Sequence, residues 1–364
     1  SPDFSERDPV AHETRIVAEG WQPSVIRAYF GWYDDSSNEY HPDPQPVTLD
    51  ALTVEVNLNQ AIPTGEYDWR RSVIDLNEAS EAILRDVTVV VTMAAEFEGD
   101  YVTAISLGDY STEDGESAAS LIVVERCTVR VVSGSTSGVT AVSIGATTPD
   151  GTVSITGNRL AVQGEDADGI SAGAWCGGII ANNVIACRAL DQARGVRLQS
   201  GGPPDGAIVH NTIVANAPVD PRGIDVDYGD TTPDGTLDIV NNIFACSGTS
   251  GAAVRQVATT NPDRQPVYNY NLCFGVDTDI DGWVAGNVAN DLYVSNIFTD
   301  VFASPQDSDY SDGDATDYHL IDDGTYAVDQ GQTTSYNEET QVDFEGDPRP
   351  SGTACDRGAD EKVP

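Results

Sequence analysis

An all-β chain wound as a parallel solenoid is the fold the sequence predicts, and three observations predict it. The phrase "TTPDGT" stands at Thr147–Thr152 and again at Thr231–Thr236, 84 residues on, between flanks that differ. An asparagine column runs Asn158, Asn183, Asn211, Asn242 and Asn271, at steps of 25, 28, 31 and 29 residues. It lies within like phrases: "VSITGNRLAV", "GIIANNVIAC", "GAIVHNTIVA" and "LDIVNNIFAC". Apolar residues inside each repeat alternate with polar ones. The gap of 84 is thus three turns of about 28 residues, the same turn made at the same place in a periodic structure.

A second file follows glycines that precede an apolar residue: Gly138, Gly169, Gly195, Gly223, Gly251 and Gly282. Positions +1 (Val139, Ile170, Val196, Ile224, Ala252) and +3 (Ala141, Ala172, Leu198, Val226, Val254) are apolar, while +2 is mostly polar. A period of two belongs to strands and not to helices. Two or three such strands per repeat, parted by Gly, Asn and Pro-Asp turns, describe one coil, stacked on the next at about 4.8 Å. Inward residues then form apolar columns, and asparagines at one bend form a ladder of side-chain hydrogen bonds. A propeller blade would need about 40–45 residues, and the dense leucine signature of leucine-rich repeats is missing.

Earlier coils are looser. "RDVTVVVTM" (Arg85–Met93) and "LIVVERCTV" (Leu121–Val129) fit the strand before the asparagine bend, and "YVTAISL" (Tyr101–Leu107) fits the strand after it. "TVEVNL" (Thr53–Leu58) and "SVIDL" (Ser72–Leu76) start the coil. Residues 1–50, with Trp21, Phe30, Trp32 and Tyr33, read as an N-terminal cap, because the first coil leaves an apolar interior and a strand edge to cover. An aromatic ligand-binding surface is the other reading of the same residues. The expected organisation is a cap over 1–50, parallel coils over 51–290 and a closing module over 291–364.

Bulk properties bound the function. Of 364 residues 40% are hydrophobic, enough for a sizeable core, and 34 glycines with 19 prolines imply many turns. No run approaches the roughly 18–20 apolar residues that span a bilayer, and no signal segment opens the chain. A start at Ser1 suits a mature or trimmed product. The formal charge of −41 repels phosphate backbones and anionic headgroups, so neither nucleic-acid binding nor membrane insertion is expected. Lys362 is the sole lysine. That composition suits a saline or calcium-rich setting, where ions screen self-repulsion; an arginine-favouring genome with an acidic extracellular surface accounts for it equally. Six cysteines (Cys127, Cys176, Cys187, Cys246, Cys273, Cys355) include no CxxC pair, so a thiolate metal site is not indicated. They suit either disulfides of an exported protein, in pairs that spacing does not assign, or buried small hydrophobes.

The coils resemble the right-handed parallel β-helix repeats of the pectate-lyase-like superfamily. The end of the chain, "DYHLIDDGTYAVDQG" and then "DFEGDPRPSGTACDRGADE", is similar to the C-terminal choice-of-anchor Q module. The residues that carry this likeness are Tyr318, His319, Leu320, Val328, Asp329, Gly331, Asp343, Gly346, Arg349, Pro350, Asp356, Gly358, Ala359 and Glu361. The resemblance implies a right-handed parallel β-helix closed by a terminal module, in an exported protein held at a cell surface. It implies no reaction, since fold does not fix function.

The outward strand face holds the candidates for chemistry. Relative to the glycine file, +2 holds Ser171, Arg197 and Asp225, +4 holds Gln199, Asp227 and Arg255, and −1 holds Arg194 and Arg222. A lyase acting on a uronic acid needs cations to neutralise the carboxylate and a base to take the α-proton, which these residues could supply. The same pattern also describes a ladder of ion pairs that relieves like-charge stacking between coils. The paired aspartates, Gly-His-Gly and Arg-Ile-Lys stretch of polygalacturonase-type hydrolases are missing. His210 takes the bend position held elsewhere by Asn182 and Asn241, and His319 falls in the terminal module. "DTDIDG" spaces Asp277, Asp279 and Asp281 as in a Ca²⁺ loop, though Val288 stands where the twelfth-position acid belongs. A second acidic run offers Asp307, Asp309, Asp312 and Asp314. The expectation is an exported, non-catalytic scaffold or carbohydrate-contacting surface, with Ca²⁺ as its ion and a polysaccharide or cell-surface partner. A polysaccharide lyase, glycosidase or epimerase is the alternative.

Overall fold

The structure is a computed structural model. It describes residues 14–19, 25–27, 31–34, 39–42, 45–58, 70–77, 79–94, 101–108, 119–134, 137–174, 177–199, 205–227, 237–256, 267–275, 278–281, 288–289, 292–294, 301–304, 317–320, 326–332 and 340–362. Every extended element among them is a β-strand, and nearly all pair in parallel. No helix is long and apolar enough to cross a membrane.

Strand pairing sorts the chain into three parallel files, each strand bonding to its counterpart one repeat later. The first file precedes the asparagine bend and runs from Pro46–Asp50 through Asp205–Val209 to Val288–Ala289. The second follows the bend, from Thr14–Glu19 and Leu52–Leu58 to Leu292–Val294. The third runs from Ile26–Arg27 through Arg222–Asp227 to Thr278–Asp281. The second and third files join through long strands such as Arg159–Ala174 and Val184–Gln199 into one curled sheet. This pairing is compatible with a solenoid-like coil.

The repeat is wider and its register finer than the sequence reading. Thr14–Glu19, Ile26–Arg27 and Pro46–Asp50 already belong to the files, so parallel pairing begins before residue 51. Gly31–Asp34 and Glu39–Pro42, which carry Trp32, Tyr33 and His41, form an antiparallel hairpin within this stretch; Trp21 and Phe30 lie outside the described residues. Tyr101–Leu107 pairs with Arg70–Leu76 and 138–144, which places it in the third file and not directly after the bend. Arg85–Met93 straddles the bend, with Asp86 at its corner. The first "TTPDGT" lies in the strand Gly138–Thr156, between its third-file and first-file stretches. The second copy lies outside the described residues.

The bend has one conformation throughout. Ala51, Asp86, Arg126, Gly157, Asn182, His210, Asn241 and Tyr270 all have φ between 50° and 66°. Asn and Gly tolerate this left-handed region readily, which accounts for their frequency here. The next position holds Leu52, Val87 and Cys127 in early coils, then Asn158, Asn183, Asn211, Asn242 and Asn271, all fully buried. Each Asn from 158 to 242 donates Nδ2–H to the following Oδ1 at 2.9–3.0 Å, and its backbone N–H to the same oxygen. A second Nδ2 hydrogen reaches a first-file carbonyl of the preceding coil, as from Asn211 to Ile180. A buried amide is thereby satisfied on every side, which is the condition for keeping it in an apolar interior.

The glycine column holds for three coils only. Gly169, Gly195 and Gly223 are in register, flanked by Ala141 before and Ala253 after. A Cβ on Gly195 would stand 2.2 Å from Ile213 Cγ2 and 2.6 Å from Gly223 O, so no side chain fits. Gly138 and Gly251 are out of that register, and Asp279 instead of Gly282 continues it.

The described part of the terminal module lies along the flank, over the bend and the outer side of the second file. Val301, Phe302, Leu320 and Ala327 pack on Val214, Ile243, Ala245, Leu272 and Phe274. Second-file strands there are buried on both faces, unlike Leu52–Leu58, where buried and more exposed residues alternate.

Replacing Asn211 by Ala removes the acceptor of Asn183 N–H and the donor to Ile180 O. Two stranded buried groups should lower the unfolding free energy by about 3 kcal/mol in a denaturant titration. A loss below about 1 kcal/mol would mean that the ladder is incidental.

Candidate functional site

The third file carries the outward cluster. Its central register row reads Arg27, Asp75, Ser106, Ser143, Ser171, Arg197, Asp225, Arg255 and Asp281. Like residues must stack on like positions in such a row, so charge alternates and hydroxyls fill the middle. Arg255 belongs here beside Asp225, two positions from where the glycine count put it, because Gly251 is out of register.

Two buried clusters result. Asp168 Oδ1 accepts Arg194 Nε at 2.6 Å, and Arg197 Nη1 lies 3.6 Å from Asp168 Oδ2. Arg194 also donates to Gln192 Oε1 at 2.7 Å. One coil on, Asp225 accepts Arg222 Nη1 at 2.7 Å and Arg255 Nε at 2.8 Å, while Arg222 also pairs with Asp220. Burial pushes the Asp168 carboxyl up, and the Arg194 and Arg197 charges oppose it. Arg194, Arg222, Asp168 and Asp225 are all under 9% exposed, whereas the Arg197 and Arg255 side chains stay about a third exposed at 34% and 29%. Both oxygens of each aspartate face guanidinium groups. A general base here would have to act from within a buried ion pair.

Of the residues the sequence grouped, Arg194 and Arg197 meet at Asp168, and Arg222 and Arg255 meet at Asp225. Asp227 pairs by backbone with Gln199, and its side chain lies outside the described residues. Gln199, with its amide oriented to satisfy its neighbours, accepts from Arg197. Asp168 and Asp220 were missed. Asp168 occupies the −1 position with Arg194 and Arg222, so reading that column one coil further would have found it.

Thr278–Asp281 is a strand, with Asp281 in register with Arg255. Asp277, Asp307, Asp309, Asp312 and Asp314, and the side chains of Asp279 and Asp281, lie outside the described residues, as do His12 and Cys176. Cys127, Cys187, Cys246, Cys273 and Cys355 are all buried and form no disulfide with one another. Burial pushes Cys127 and Cys246 up to about 12, so neither is a ready thiolate.

A second ionic centre joins the terminal module to the bend. Arg349 is fully enclosed; it donates to Glu361 Oε2 at 3.1 Å, Gly358 O at 3.0 Å and Ala359 O at 2.7 Å. Its Nη1 also lies 3.2 Å from His210 Nδ1. Asp356 accepts the backbone N–H groups of Asp329 and Lys362, each at 2.6 Å, and Asp343 accepts those of Glu345, Asp347 and Glu361. Asn241 exchanges two hydrogen bonds with the Gln332 backbone, and Asn182 donates to Val342 O. Gly358, at φ 93°, passes so close that a Cβ would stand 2.6 Å from Ile243 Cδ1. The acids and arginine of the terminal motif are therefore a structural clasp.

His210 is neutral in this clasp. Arg349 can only donate, so Nδ1 accepts; protonation would set an N–H against the guanidinium. Burial first and the Arg349 charge second hold its pKa well below the ordinary value. The chain matches no protein-family model and no curated protein.

Two predictions follow from these centres. Asp225→Ala leaves Arg222 buried beside a lost partner and should cost about 3–5 kcal/mol, whereas Arg255→Ala, at the exposed rim, should cost about 1 kcal/mol or less by denaturant titration. A folded-state pKa below the unfolded value gives stability that is complete above about pH 6.5 and is lost as pH falls below it. Asp356 acts oppositely: burial raises it to about 7, so its share is present at acid pH and fades as pH rises towards 7. His210→Asn removes only the first effect. The stability gap between wild type and this variant should therefore narrow from pH 7 to 5, by up to about 1.4 kcal/mol per pH unit; a constant gap would refute the assignment.

Proposed function

We propose that the chain is a right-handed parallel β-helix that serves outside the cell as a rigid, non-catalytic scaffold, presenting its third file to a carbohydrate. The observation that carries this reading is that Asp168 and Asp225 are each shared by two arginines and buried. That arrangement suits a fixed surface better than a reacting one. The same row exposes about a third of the Arg197 and Arg255 side chains, on either side of Asp225. Guanidinium groups set two coils apart match a polymer that repeats carboxylates, such as a uronate chain. The likeness of Tyr318–Leu320 and Asp343–Glu361 to the choice-of-anchor Q module supports a surface setting, and the scarcity of cations suits a saline one.

A panel of neutral and uronate polysaccharides tests the proposal. Binding without release of reducing ends or unsaturated products is expected, with affinity for uronates lowered several-fold by Arg197→Ala. Turnover that disappears in the Arg197→Ala and Asp225→Asn variants would establish the lyase or glycosidase alternative instead. No binding to any polymer would end the carbohydrate reading.

A further inference from the structure

Three side chains of the terminal module meet at a point that neither the clasp nor the third file uses. His319 stands on the strand Asp317–Leu320, Glu345 in the turn after Phe344, and Asp360 in the closing segment. One ligand atom from each lies within 4.8 Å of the others. His319 Nε2 is 2.8 Å from Glu345 Oε2. Asp360 is buried, and its Oδ2 accepts Leu320 N–H at 2.7 Å, a backbone contact of the kind that orients a metal-binding carboxylate. The Phe344 ring, 5.7 Å from the His319 ring, limits its rotation, and Arg159 covers that phenyl ring at 5.0 Å.

We infer that His319, Glu345 and Asp360 hold one divalent transition-metal ion, of the Zn²⁺ type. Two carboxylates and a neutral imidazole supply two negative charges to a dication. Bonds of about 2.0–2.2 Å place neighbouring ligand atoms roughly 3.3 Å apart, so the present spacing closes on an ion through small side-chain rotations. A nitrogen donor favours such an ion over Ca²⁺ or Mg²⁺, which take oxygen. Glu345 and His319 are half-exposed at 43% and 38%, which leaves a path from solvent, and the acidic surface concentrates cations around it. The three ligands come from three separate segments, so the ion would pin the module to itself, leaving the remaining coordination positions to water.

The experiment uses the full chain stripped of metal by a chelator. One equivalent of Co²⁺, as the coloured stand-in for Zn²⁺, should give visible d–d absorption that added Zn²⁺ abolishes, and Zn²⁺ should raise the melting temperature. His319→Gln and Glu345→Gln alter exposed side chains, so both variants should fold. Each should weaken Zn²⁺ binding by about 10-fold or more and remove the stabilisation. Asp360→Asn, checked for folding by circular dichroism, should do the same. The inference is overturned if Co²⁺ gives no stoichiometric spectrum, or if folded His319→Gln and Glu345→Gln bind Zn²⁺ like wild type.

Discussion

Each residue of the parallel files lies about 4.8 Å from its counterpart in the next coil, and its side chain must therefore tolerate a neighbour at the same position. The asparagine ladder is the solution in the interior. An amide carries donor and acceptor together, so Asn183, Asn211 and Asn242 bond to one another without a water or a counter-charge. Because each Oδ1 also accepts a backbone N–H, the ladder fixes the register of the strands on either side. A slip of one residue would reverse which side chains face inward.

The same constraint governs charge. Like charges in neighbouring coils repel, so arginines pair with nearby acids, and even Arg194 and Arg222, stacked in register, each hold an aspartate. Arg85 reaches Glu125, Arg126 reaches Asp86, and Arg255 reaches Asp225, each across one repeat. Where no cation is available, the file turns to hydroxyls, as at Ser106, Ser143 and Ser171. The pairs at Arg194 and Arg222 are buried, where breaking one partner leaves an uncompensated charge.

The flank is a different solution to an apolar surface. From Val184 onward the second file is apolar at both parities ("VIAC", "TIVA", "IFAC", "LCF"), and such a strand needs cover on both sides. The terminal module supplies it, locked by Arg349 against His210 and the Asn241 bend. The closing module expected over residues 291–364 has its described part on this flank.

The sequence alone determined the period, the strand class, the asparagine ladder and the clustering of Arg194, Arg197, Arg222, Asp225 and Arg255, because stacking forces like residues to recur at coil spacing. Exact register lay beyond it. Coils of unequal length shift the count, so Gly138 and Gly251 looked like column members while Ala141 and Ala253 hold the place. Asp168 and Asp220, the clasp around His210, and the meeting of His319 with Glu345 and Asp360 were decided only by the tertiary structure. Those contacts join residues whose separations, such as 139 between His210 and Arg349, have no relation to the repeat, and periodicity carries no information about a segment that has left the coil.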